Sequence, residues 1–244
     1  MLQDYNPKLE SKNYIDGVDF TKDDPCVWVV YPAGASGDLL ISIIDKHYIR
    51  SGCEYYGIED SGRVHAYTTD YEIISLSNEL GAQVEFNDQW FWNLSNKLAE
   101  RNLNYSLLDQ IIFGCHLHDK DDIKKILETF PKAKIINIYI ADMLGREITR
   151  YLHEFKREKN KIELLNATNN APIENKLASD NRVLNIPYGC LFNEEPFELV
   201  YQQIVDFLEL SSKLIRYEYI SYYLSKQPAE VRSLLNNYKP MEQS

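Results

Sequence analysis

Several things are scarce in this 244-residue chain, and each scarcity removes a class of function. Only four cysteines occur (Cys26, Cys53, Cys115 and Cys190), dispersed and with no Cys-x-x-Cys pair. Such spacing speaks against a cysteine metal cluster or a disulfide framework and suits a reducing cytoplasm, the compartment expected here. Histidine is nearly as sparse. The one close pair, His116 and His118, projects to opposite sides of an extended backbone, so no metal site is expected. No apolar run approaches the roughly 20 residues of a membrane-spanning helix, and no membrane partner is expected. The first residues, Met-Leu-Gln-Asp-Tyr-Asn, have neither the basic flank nor the apolar core of a signal peptide. Basic side chains are outnumbered, with 26 Lys and Arg against 37 Asp and Glu for a net charge of −11. Proteins that coat nucleic acid are ordinarily basic, so no nucleic-acid partner is expected. A polyanionic small molecule would have to be held by local groups working against the field of the whole chain.

Repeats and Pro/Gly-rich linkers are missing too, which leaves a single domain over 1–244. Residues 1–24, polar and mixed in charge, read as a surface arm, 26–210 as the core, and 211–244 as C-terminal helices. A hydrophobic content of 44% is ordinary for a globular protein, and the length suffices for one large α/β core.

Within that core the sequence alternates strand-like and helix-like stretches. Val27–Val30 has high strand propensity. After a small-residue turn, Leu39, Leu40, Ile43, Ile44 and His47 recur at helical spacing, and Gly52 follows as a stop. Glu54–Asp70 shows little periodicity and reads as an excursion from the core. A short helix over Tyr71–Leu80, a brief strand at Val84–Phe86 and a helix over Asp88–Arg101, capped by Asn87, come next. Gln110–Cys115 is a near-continuous apolar run, the mark of a strand buried on both faces. A helix over Lys120–Phe130 is closed by Pro131, and Ala133–Ile140 is the strongest strand signal of the chain. A helix from about Met143 to Lys159 and a polar loop to Asp180 lead to a strand at Arg182–Ile186 and a turn at Pro187–Gly189. Pro196 then falls in the first turn of a helix reaching Leu208, followed by helices over Ser212–Lys226 and Pro228–Tyr238. Such alternation predicts an α/β fold, a doubly wound, mainly parallel sheet with helices on both faces. Ligands of such sheets bind beyond the carboxyl ends of the strands, which gathers loops 31–38, 114–119 and 141–146 at one crevice.

The first of these loops joins a strand to a helix through Gly34-Ala35-Ser36-Gly37-Asp38. Backbone N–H groups of such a turn, with those of the helix's first turn, converge on one point and suit an anion. A nucleoside-triphosphate loop of the Walker kind needs Lys-Ser/Thr after its last glycine, to reach the β/γ-phosphates and magnesium. Here Asp38 and Leu39 stand there, and a carboxylate at the helix start opposes phosphate. The alternative is a tight turn whose glycines serve the backbone alone.

Four segments, in order, resemble the sulfotransferase family, whose fold belongs with the P-loop nucleotide-binding proteins. Tyr31-Pro32-Ala33-Gly34-Ala35-Ser36-Gly37, running into Leu39-Leu40, is similar to the family's Tyr-Pro-Lys-Ser-Gly-Thr loop, with Ala33 at the lysine. Gly114-Cys115-His116-Leu117-His118 resembles Lys-Thr-His-Leu-Pro, with Gly114 at the lysine. Pro131–Ile136 resembles the run preceding Tyr-Val-x-Arg-Asn-Pro, whose arginine falls here at Ala141 or Asp142. Val183–Leu210 resembles the stretch that ends in Phe-Leu-Gly-Leu. The resemblance implies transfer of a sulfuryl group from PAPS (3′-phosphoadenylyl sulfate) to a hydroxyl or amine of an unidentified acceptor. It implies His116 as the catalytic base and Gly34, Ala35, Ser36, Gly37 and Asp38 as the phosphosulfate cradle. Thr149 then holds the 3′-phosphate, with Arg146 and Arg150 as replacement cations.

Two other readings stand beside this one. In the first, the losses at Ala33, Gly114 and Ala141 or Asp142 mark a non-catalytic binding or assembly module of the same fold. Tyr217, Tyr219, Tyr222 and Tyr223, among 18 tyrosines, would supply a homo-oligomer interface through the C-terminal helices, or else simply cover the sheet's flank. The second is a nucleotide-dependent, kinase-like transferase.

Overall fold

Alternation along the central strand settles the architecture. The computed structural model describes residues 21–32, 37–45, 56–58, 64–66, 111–116, 120–140, 145, 148, 180–210, 218–227 and 229–238. β1 (Cys26–Tyr31) is buried at every position, as a strand covered on both faces must be. α1 (Gly37–Asp45) follows it, and then β2 (Tyr56–Ile58) and β3 (Val64–Ala66). β4 (Ile111–His116), α2 (Lys120–Thr129), β5 (Lys134–Tyr139) and β6 (Val183–Pro187) complete the alternating part. A 3-10 turn over Tyr188–Leu191 leads into α3 (Glu194–Leu208), α4 (Glu218–Ser225) and α5 (Ala229–Asn237).

The main sheet has the order β4-β1-β5-β6, and every pairing in it is parallel. Its register separates the side chains of β1 into two sets. Val27, Val29 and Tyr31 join Ile112, Ile136, Ile138 and Ile186 in one large cluster with Leu39, Leu40, Ile43 and Ile44 of α1, and with the buried sides of α3, α4 and α5. On the opposite face Trp28 stacks on Phe113 at 4.5 Å between ring centres and lies 5.6 Å from Phe130 at the end of α2. Ile123 and Ile126 of α2 are buried as well. Helices on both faces of a parallel sheet are the α/β arrangement expected from the alternation. Each fully buried aromatic or branched side chain contributes roughly 1.5–3 kcal/mol of transfer free energy, so both faces are needed to hold the strand.

Two long-range cation contacts fasten helix ends to the amino-terminal edge of the sheet. Lys134, first residue of β5, donates through Nζ to the Phe207 carbonyl at 2.8 Å and to Glu209 at 2.8 Å. A cation is favoured at that place, because the last carbonyls of a helix lack intrahelical partners. Glu209 caps α3 at φ 59°, in the left-handed region. Arg182, just before β6, donates to the Leu127 carbonyl at the end of α2 and to Asp180. The Arg182 guanidinium and backbone N–H hold the Asp180 carboxyl below its ordinary range.

Several element bounds differ from those expected. Glu54–Asp70, read as an excursion from the core, holds β2 and β3, which pair antiparallel outside the main sheet, and β3 lies near α1. Three-residue strands are too short to show a period, which is why periodicity misses them. The turn at Pro187–Gly189 is instead the end of β6, at Pro187, running into the 3-10 turn. The last two helices are described over Glu218–Ser225 and Ala229–Asn237. Residues 1–20, and the helices and strand expected over Tyr71–Leu80, Val84–Phe86 and Asp88–Arg101, lie outside the described residues. Of Met143–Lys159, only Gly145 and Ile148 are described, both helical and buried. No described helix is long and apolar enough to cross a membrane.

Candidate functional site

β1 lies between β4, which follows it in the chain, and β5, which the chain reaches by passing to the other side. The carboxyl end of β1 is therefore a topological switch point, where the connections diverge and open a crevice. Tyr31 ends β1, His116 ends β4, and the register makes them direct partners across the sheet. On the other side Val30 partners Asn137 of β5.

The turn between β1 and α1 is shaped by its last glycine. A Cβ on Gly37 would fall inside the Tyr31 ring, so α1 can start against the end of β1 only with glycine at its first position. Tyr31 is 2% exposed, and Pro32 behind it is buried. Gly37 makes room for an aromatic ring, a reason apart from the backbone freedom considered above. The same close approach brings the positive end of the α1 dipole to the carboxyl edge of the sheet, where anions bind in folds of this class. Asp38 is the second residue of α1, whereas Gly34, Ala35 and Ser36 lie outside the described residues.

His116, last residue of β4, lies at the switch point as the register partner of Tyr31. Gly114, at the family's lysine position, is buried and pairs with Val29 in the part of the sheet that α1 covers. Arg146, Thr149 and Arg150 lie outside the described residues. Their neighbours Gly145 and Ile148 are buried. Lys134 and Arg182 are committed to helix ends at the amino-terminal edge, away from the crevice.

Two features of this region escape a reading by motif. Asn137 is fully buried, and its Nδ2 donates to Asn185 Oδ1 of β6 at 2.9 Å. The two are register partners and join β5 to β6 next to the crevice. Their signal was a lone amide two residues before the end of each strand, Lys134–Tyr139 and Val183–Pro187. The second feature is Tyr238, 1% exposed after α5, whose ring takes the space a Gly145 side chain would need. Nothing local in the sequence links those two positions. Tyr223 is likewise buried, so it covers the core; the positions of Tyr219 and Tyr222 are on α4, and Tyr217 lies outside the described residues.

No protein-family model and no curated protein matches the chain. Among solved structures it is similar to the sulfotransferase domain from the Synechococcus PCC 7002 olefin synthase. That similarity covers 96% of this chain and 88% of the other, at 12% sequence identity and a TM-score of 0.38.

Proposed function

We propose that the protein is a sulfotransferase-like transferase, with PAPS bound at the carboxyl end of β1. The observation that carries this reading is the pairing of His116 with Tyr31 at the switch point, beside the start of α1. Backbone N–H groups over Gly34–Asp38 hold the phosphosulfate, which suits a chain whose loop has Ala33 where a lysine would stand. Thr149 takes the 3′-phosphate, and Arg146 and Arg150 supply the nearby positive charge that several phosphates demand. His116 accepts the proton of the acceptor hydroxyl or amine. That acceptor atom forms its bond to sulfur as the bond from sulfur to the phosphate oxygen breaks, leaving adenosine 3′,5′-bisphosphate. An imidazole titrating near neutrality is suited to this proton transfer.

Calorimetric titration with PAPS tests the cofactor assignment, and absence of heat at millimolar nucleotide, at low and at physiological salt, would sink it. A transfer assay with labelled sulfate tests the base: His116→Ala should lower the rate by about 10²–10⁴-fold, the usual contribution of a general base.

A second reading is favoured by the three lost cations at Ala33, Gly114 and Ala141 or Asp142. In it the chain binds a nucleotide or a protein partner through the same fold without transferring anything. PAPS binding without labelled product across a panel of acceptors would select it.

A further inference from the structure

Tyr238 ties together two connections that leave the ligand-binding edge of the sheet. Gly145 lies beyond the carboxyl end of β5, and the Tyr238 ring and Oη sit where its Cβ would be. The Tyr188–Leu191 turn lies beyond the carboxyl end of β6, and the Tyr188 ring is 6.0 Å from that of Tyr238. Asn193 completes the junction: its Nδ2 donates to the Gly189 carbonyl at 3.2 Å and to the Tyr238 carbonyl at 2.9 Å. Tyr238 itself is 1% exposed, and Ile140 and Ile148 belong to the same cluster. The residue after α5 is thus packed against Gly145, beyond β5, and against the turn that follows β6.

We infer that Tyr238 is a positioning residue for the crevice. By filling the space beside Gly145 it fixes the place of that residue beyond β5, and so links docking of α5 to occupancy of the site. Such a contact acts without touching a ligand, because a shift of even about 1 Å passed on to a site misplaces its groups. The link to occupancy rests on the PAPS reading above; the positioning itself does not.

The test uses the full chain with Tyr238→Ala, Tyr238→Phe, Gly145→Ala and the Gly145→Ala/Tyr238→Phe pair. Hydrogen exchange is measured first without nucleotide. In Tyr238→Ala, exchange should rise over 187–193 and at 140, 145 and 148 as well as within α5. A rise confined to α5 overturns the inference. Gly145→Ala should produce the same rise with Tyr238 present and a smaller one in the Tyr238→Phe background, where Oη no longer opposes the added methyl. Equal effects in the two backgrounds overturn it equally, and this arm decides the matter if Tyr238→Ala does not fold.

PAPS titration then addresses occupancy, at a temperature where circular dichroism shows each variant folded. Tyr238→Ala should raise the Kd about tenfold, within the usual range of coupling between sites, and Tyr238→Phe should restore most of the affinity. An unchanged Kd beside altered exchange would refute the link to occupancy. If the natural chain gives no heat with PAPS, the proposed function fails while the exchange measurements still decide the positioning role.

Discussion

At the scale of single residues, the substitutions that matter most are those with no room to move. Gly37→Ala puts a methyl group into the Tyr31 ring, in a core with little slack. Overpacking of this kind costs roughly 1–3 kcal/mol, and urea unfolding of the variant should show that loss. A neutral outcome would mean that Tyr31 is not seated against α1. Cys26 offers a second check. Burial pushes its thiol up from 9.0 to about 12; Trp28 opposes that rise by hydrogen bonding, and Asp24 adds to it. A thiol with a raised folded pKa stabilises the fold fully below its unfolded value and loses that contribution as pH climbs toward the folded one. Stability should therefore fall between about pH 9 and 12, by at most about 1.4 kcal/mol per pH unit. Cys26→Ala should flatten that part of the profile in thermal melts, and superimposable profiles would exclude the effect.

At the scale of elements, helix ends are held by single cations from distant strands. Lys134→Met removes the donor to the Phe207 carbonyl, which should lower stability by about 1 kcal/mol in denaturant titrations. Glu209 is the opposite case. Its ion pair with Lys134 lowers its pKa but is solvent-exposed and therefore weak, while its φ of 59° strains any residue with a Cβ. Glu209→Gly should raise the melting temperature, and a fall would show that the ion pair outweighs the strain. The Phe-Leu-Gly-Leu pattern that Phe207–Leu210 resembles has glycine where Glu209 stands, the residue a left-handed helix C-cap favours. Asp180 governs the acid side. With its pKa lowered chiefly by Arg182, it contributes stability above the ordinary carboxylate range, lost as pH falls through the lowered value. Asp180→Asn should remove that acid-side slope from the melting profile, leaving the neutral plateau lower.

At the scale of the whole molecule, the proposed function sets a net charge of −11 against a polyanionic nucleotide. Long-range repulsion slows the encounter, and salt screens it within a Debye length of about 8 Å at physiological strength. The association rate for PAPS should therefore rise with ionic strength in stopped-flow measurements. A rate that falls with salt would reveal a positive field at the crevice strong enough to dominate the chain.

Much of the scaffold was legible in residue order. Strand-like runs at Val27–Val30, Gln110–Cys115 and Ala133–Ile140 marked three strands of the sheet, and the second was read as buried on both faces because such a strand needs no polar alternation. Alternation with helices then implied a parallel sheet and a crevice at its carboxyl edge. Residue order also placed His116 at a strand end. It could not say that β1 would lie between β4 and β5, which makes Tyr31 the register partner of His116. It could not say that Gly37 serves an aromatic ring, that Asn137 and Asn185 meet inside the sheet, or that Tyr238 reaches Gly145. Hydrophobic period and turn chemistry act over a few residues and are written locally. Strand neighbours, close approaches and buried amide pairs join residues far apart in the chain, and only the packed fold brings them together.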